Sequence, residues 1–149
     1  MSGTMAHMLF QKSLQDLVKG IRANKNDPSE FIAQAMNEIK RETKSTDPNV
    51  KSQAVRKLTY LQMIGYDVNW ACFFIIEVMS QPRFAHKRVG YLGAAQIFND
   101  LTEVTLLTVN LFKKEFAPLN NPYEIGMAIN ACANIATTEV ARDCITNLV

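Results

Sequence analysis

Apolar residues recur at helical spacing along almost the whole chain. Phe10, Leu14, Leu17, Val18 and Ile21 make one stripe, and Ile32, Ala35, Met36 and Ile39 a second. Val50, Ala54, Leu58 and Leu61 make a third. A nearly all-apolar segment follows from Trp70 to Met79, with Glu77 inside it. The run Trp-Ala-Cys-Phe-Phe-Ile-Ile would also suit a buried strand. No partner strand flanks it, so the expected element is a buried helix. A fifth element spans roughly Phe84 to Phe98. Val104, Leu107, Leu111 and Phe112 make the sixth stripe, and Ile125, Ala128, Ile129, Cys132 and Ala136 the seventh. Val140, Cys144, Ile145 and Leu148 make the eighth. No segment sustains period-two alternation, so the expected class is all-α.

The punctuation agrees with these boundaries. The five prolines, at 28, 48, 82, 118 and 122, fall between stripes and never inside one. A proline in a helix interior would cost about 3 kcal/mol, so their placement carries information. Asp27-Pro28-Ser29-Glu30 reads as an N-cap, a proline at the first helical position and a capping-box glutamate. Asn121-Pro122-Tyr123-Glu124 repeats that grammar, and Asp47-Pro48 gives the cap and the proline alone. Gly65 stands where a left-handed residue closes the third helix. Asn99-Asp100 reads as a cap or turn.

Leu58, Leu92 and Ile129 each sit in an apolar helix followed by a turn and a second apolar helix, at spacings of 34 and 37 residues. A repeat of helical hairpins at this period predicts a right-handed α-solenoid of the HEAT or armadillo kind, with about eight helices. Gly90 and Gly93 would each cost a helix about 1 kcal/mol against alanine. With Ala94 and Ala95 they offer a small-residue surface for close helix approach; a phosphate-binding glycine loop would need a strand before it. Residues 1–8, small and polar with three methionines, read as an added leader or a disordered start. The solenoid is expected over residues 9–149. Its last stripe runs to the end of the sequence without a polar capping repeat, so the chain reads as the first piece of a longer solenoid.

Composition narrows the function. The chain has 149 residues, 48% of them hydrophobic, enough for one domain with a sizeable core. A net charge of +2 argues against nucleic-acid binding by bulk charge. The short basic patches are His86-Lys87-Arg88 and Lys113-Lys114. Cys72, Cys132 and Cys144 form no C-x-x-C pair, and His7 and His86 are far apart, so no zinc-ligand spacing is recognisable. All three cysteines fall on apolar stripes and are expected to be buried thiols in a reducing compartment. The Trp70 run is roughly half the length of a membrane helix. There is no nucleophile elbow, P-loop or H-E-x-x-H motif, no paired carboxylates stand out, and His86 lies beside two cations. No catalytic residue, metal or cofactor is expected.

At Phe84-Ala85-His86-Lys87-Arg88-Val89-Gly90-Tyr91-Leu92 the sequence resembles the adaptin N-terminal family, which carries a similar F-x-x-K-R-x-G-Y-L stretch at the start of a trunk helix. The likeness runs over nearly the whole chain from Leu14. Leu14 to Arg22, Lys57 to Asp67 and Ile75 to Ser80 look most like the delta-type branch of that family. Ala141-Arg142-Asp143 also fits the family.

This resemblance implies a non-catalytic scaffold within a heterotetrameric vesicle-coat adaptor. Its partners would be a small sigma subunit, a medium subunit, a beta-type large subunit and sorting-signal peptides of membrane cargo. Its place would be cytoplasmic, peripheral on Golgi and endosomal membranes, in transport towards lysosomes. Ile21-Arg22-Ala23-Asn24-Lys25 matches an I-R-x-x-K stretch in which a related subunit's arginine helps bind acidic dileucine signals. Arg22 is therefore either a cargo contact, suited by its planar fork of donors, or a solvated cation at a helix C-terminus. A related run of lysines binds phosphoinositides; here Lys51, Arg56 and Lys57 are spread, so they read either as a weak membrane contact or as a solvated face. Outside this family, the same pattern would fit a helical-repeat module of another coat or transport-receptor system.

Overall fold

Four helix starts are set by an N-cap side chain that accepts from one of the first free N–H groups, the last of them by Thr137, which accepts from the Val140 amide. Ser13 accepts from the Asp16 amide while the Asp16 carboxylate accepts from the Ser13 amide, a complete capping box. Asp47 accepts from the Asn49 amide and Asn121 from the Tyr123 amide, each with a proline at the first helical position. The computed structural model describes residues 12–99, 104–117 and 119–146. Phe10, Asp100, Pro118, Leu148, Val149 and the leader at 1–8 lie outside the described residues, as do the readings made on them.

Among the described residues there are eight α-helices and no strand. They are α1 (Leu14–Ala23), α2 (Ser29–Glu42), α3 (Pro48–Met63), α4 (Cys72–Met79), α5 (Phe84–Ile97), α6 (Thr108–Glu115), α7 (Pro122–Ile135) and α8 (Thr138–Ile145). Short 3-10 turns at Asn69–Ala71 and Thr105–Leu107 lead into α4 and α6. The third helix closes as its glycine requires. Gly65 has φ 98°, its amide donates to the Gln62 carbonyl, and the Tyr66 amide donates to the Leu61 carbonyl. That is a Schellman motif.

Packing follows chain order. Helices α1, α3, α5 and α7 form a continuous row, each against the next. Helix α2 lies on α1 and α3, α4 lies on α3 and α5, and α6 lies on α7. Helix α8 joins this second layer through α6. Each helix packs chiefly on elements one or two away in sequence, the quasi-one-dimensional order of a solenoid. The all-helical hairpin architecture read from the sequence is therefore the one observed.

The core runs through the row without a break. Leu58, Leu61, Ile75, Val78, Met79, Tyr91, Ala94, Ile97 and Phe112 are all essentially inaccessible. Glycine sets the closest approach. A β-carbon on Gly90 would fall against the backbone amide of Met79 and within 2.8 Å of its Cα. A β-carbon on Gly93 would lie 3.0 Å from Val55 Cγ1 and 3.2 Å from Thr59 Oγ1. The two glycines thus let α5 settle onto α4 and α3, as the small-residue stretch leads one to expect.

Four details differ from the sequence reading. The Trp70 segment is helical but not wholly buried, because Phe73 is 62% exposed on its outer side. Val104 and Leu107 precede α6 in a 3-10 turn, and Leu107 is exposed, so the sixth stripe is two elements. The repeat register also shifts. Helix starts at Pro48, Phe84 and Pro122 align Leu58 with Ala94 and Cys132, all buried, whereas Leu92 and Ile129 face outward. Finally, α2 begins at Ser29, one residue later than its proline implies. The Asp27 carboxylate still accepts from the Ser29 amide, and the Ser29 side chain and amide together hold its pKa below the ordinary value.

Candidate functional surfaces

Three surfaces contain the residues singled out by sequence. The first is the C-terminal end of α1. Arg22 lies in its last turn, exposed, beside exposed Lys19 and Lys25. Its guanidinium makes no ion pair or hydrogen bond among the described residues. The helix is oriented by its capping box at one end. At the other, the Asn24 side chain donates to the Gly20 carbonyl at 2.8 Å.

The second is α3, and the structure does not bring its three cations together as a free face. Lys51 is tied to Glu77 of α4 at 2.7 Å. Arg56 is exposed. Lys57 is buried: its ammonium lies 2.5 Å from the Glu42 carboxylate of α2 and donates to the Lys12 carbonyl at 2.9 Å. The Glu42 approach has the distance of an ion pair without hydrogen-bond direction. Lys57 thus ties α3 to α2 and to the segment before α1, where a lipid headgroup cannot reach it. Lys57 is therefore neither a membrane contact nor part of a solvated face.

The third surface joins α5 to α6 and α7. Lys87 does not belong to a basic patch, because it is buried between Glu115 at 2.8 Å and Glu124 at 3.2 Å. Burial pulls its pKa down, but the hydrogen bonds and charges of the two carboxylates outweigh that and hold it above the ordinary value. Tyr91, one turn on, is pushed up by burial and by the same carboxylates. Its hydroxyl is buried without a hydrogen-bond partner among the described residues. His86 lies at hydrogen-bond distance, 2.9 Å, from Asn49 Oδ1. Arg88 points outward, exposed, and pairs with no carboxylate among the described residues. Beside it opens a pocket of about 230 Å³. Phe84, Arg88, Tyr91 and Leu92 line it from α5, and Tyr123, Met127 and Asn130 from α7.

The cysteines are free and buried, as expected. Burial pushes the Cys132 thiol up to about 11 and raises Cys72 and Cys144 as well. Among the described residues no three His, Cys, Asp or Glu side chains are placed to hold a metal ion. No helix among them is long and apolar enough to cross a membrane.

Residues 29–149 match the family described as the adaptin N terminal region. The chain belongs to the adaptin N-terminal family. It is 47% identical over 135 residues to the AP-3 complex subunit delta-1 of Bos taurus, covering 91% of this chain and 11% of that protein. It is 46% identical over 135 residues to the AP-3 complex subunit delta of Dictyostelium discoideum, covering 91% of this chain and 12% of that one. Against the AP-1 complex subunit gamma-1 of Mycosarcoma maydis identity falls to 33% over 133 residues, covering 88% and 15%. The likeness to the delta-type branch stands in these identities, and the chain spans only a small part of each relative's length.

In this adaptin the F-x-x-K-R-x-G-Y-L stretch divides into two sets. Lys87, Gly90 and Tyr91 face inward and fix α5 to its neighbours. Phe84, Arg88 and Leu92, four residues apart, stand on the outer stripe at the pocket. The opposite wall, Tyr123, Met127 and Asn130, was not picked out by sequence. The available signal was Tyr123, an aromatic in a first helical turn outside the apolar stripe; it is 77% exposed.

Proposed function

We propose that this chain is the opening part of the trunk of an adaptor-complex large subunit of the delta type, a non-catalytic scaffold in vesicle-mediated transport. Residues 9–149 would form the first helical hairpins of a longer solenoid. The observation that carries the reading is the identity of 46–47% to delta subunits across nine-tenths of the chain. The helical row and its second layer are a suitable frame, because a solenoid offers a long surface to a folded partner. In the assembled complex the partners are a small sigma subunit, a medium subunit and a beta-type large subunit. The location that follows is peripheral, on Golgi and endosomal membranes.

Within that reading Arg22 is the cargo contact. It is exposed, held at a helix end and unpaired among the described residues, so its donors are available to a carboxylate of a sorting signal. Arg56 and Lys51 are the remaining cations for a membrane surface, and Lys51 would first have to leave Glu77. Co-expression of the full trunk with its cognate sigma subunit tests the assignment: a stable binary complex is expected, and separate elution of the two would overturn it. For cargo, Arg22→Ala in the assembled complex should weaken an acidic dileucine peptide about tenfold, the loss of one charge-assisted contact. An unchanged affinity removes Arg22 from the site.

A further inference from the structure

The pocket between α5 and α7 is used by nothing described so far, and its chemistry is divided. One side is apolar: Phe84 and Leu92 are 39% and 43% exposed, and Met127 packs beside them against the core. Tyr123, 77% exposed, stands at the rim. Large side chains left in water around one concavity are a mark of an interaction site. The other side holds one cation, Arg88, and one amide, Asn130. Among the described residues no carboxylate lines the pocket, and the nearest in sequence on α7, Glu124, is engaged by Lys87. Among the described residues Arg88 therefore keeps an unmatched positive charge at the edge of an apolar hollow. The neighbouring Lys87 triad fixes the backbone on both walls, so the pocket is pre-formed between two rigid helices.

We propose that this pocket binds a short peptide segment of a protein partner that presents one bulky apolar side chain with a carboxylate next to it. About 230 Å³ accommodates one or two side chains, too little for a folded surface to enter. The apolar side chain lies between Phe84, Leu92 and Met127. The carboxylate accepts from the Arg88 guanidinium, and the Asn130 amide is free to bond the peptide backbone. Charge complementarity selects this occupant: a basic or wholly apolar segment would leave Arg88 unpaired at a desolvated rim. The site is distinct from the Arg22 end of α1, and the inference does not depend on the delta-type reading.

The test uses the full-length protein purified with its accompanying subunits. Three fluorescein-labelled, blocked hexapeptide pools are compared by anisotropy: Glu beside Leu or Phe, Lys in place of Glu, and Ala in place of the apolar residue. The first pool should bind and the other two should be weaker by about tenfold or more. Arg88→Glu should abolish the preference for Glu, and Met127→Lys should remove binding, with melting temperatures confirming that both variants fold. A benzophenone in the apolar position should cross-link to Met127 or Tyr123. Equal binding of the Lys pool, or cross-links elsewhere, would overturn the proposal. So would an Arg88→Glu complex that loses its small subunit, since the face is then an assembly interface. Binding of vesicles containing phosphatidylserine through Arg88, with no peptide binding, would assign the face to lipid instead.

Discussion

The Lys87 ammonium of α5 sits 2.8 Å from the Glu115 carboxylate of α6, and both side chains are almost fully buried. With Glu124 of α7 at 3.2 Å, one cation ties three helices together. Removing it leaves an inner carboxylate without a partner, and breaking a buried pair from one side costs about 3–5 kcal/mol. Lys87→Met should therefore lower unfolding free energy by about 3 kcal/mol, read from urea midpoints at unchanged slope. Adding Glu115→Leu should restore much of that, because the uncompensated charge is gone. Glu124→Gln should cost about 1 kcal/mol or less, since Glu115 still pairs with Lys87 and Glu124 reaches solvent.

Alkaline pH should weaken the same junction. The folded-state pKa of Lys87 is raised above its ordinary 10.5, and that of Tyr91 above its ordinary 10.0. A group raised on folding contributes stability that is complete below its unfolded pKa and is lost as pH rises through the folded value. Both contributions are therefore present at pH 7–9 and decline above about pH 10. Urea unfolding between pH 8 and 11 should show a falling midpoint. Lys87→Met should flatten that fall, leaving the part due to Tyr91.

Three glycines should respond differently to alanine. At Gly90 the added carbon meets Met79 backbone, which cannot yield, so Gly90→Ala should cost about 2–3 kcal/mol as an overpacked site. At Gly93 the neighbours are the ends of Val55 and Thr59, which can give by a few tenths of an ångström. The helix gain of about 1 kcal/mol should roughly cancel that strain. At Gly126 nothing lies within 4 Å, so Gly126→Ala should stabilise by about 0.5–1 kcal/mol. Thermal midpoints of the three variants check the order.

Helices were legible because helix formation leaves a period, a cap and an excluded proline in the local sequence. Asp47-Pro48, Asn121-Pro122 and Gly65 performed the roles their positions imply. Pairings between distant charges were not legible. Lys57 and Lys87 look like surface lysines from their neighbours, and only the α2–α3 and α5–α6–α7 packing turns them inward. The same holds for Glu124, which fits a capping box but pairs with Lys87 instead. Repeat register failed at Leu92 and Ile129 for a related reason: helix spacing was readable, but the facing stripe depends on where each helix starts. The wall of the pocket on α7 is a tertiary product and left only Tyr123 as a trace.

The thiols should be inert in the native protein and reactive once it unfolds. Cys72, Cys132 and Cys144 are all buried, and only a thiolate attacks a disulfide reagent. Burial pushes Cys132 up to about 11, so its thiolate is scarce at pH 8, and access is closed as well. With Ellman's reagent at pH 8, native protein should release little colour over minutes, and protein in concentrated urea should release the equivalent of three thiols. Between these limits the rate should follow local opening of α8, whose packing runs chiefly through α6 and the turn before it. Cys144 should therefore react before Cys72, which the α3–α5 junction covers from both sides. Mass spectrometry of the labelled peptides would distinguish that order from simultaneous exposure, which would mean that the solenoid opens as one cooperative unit.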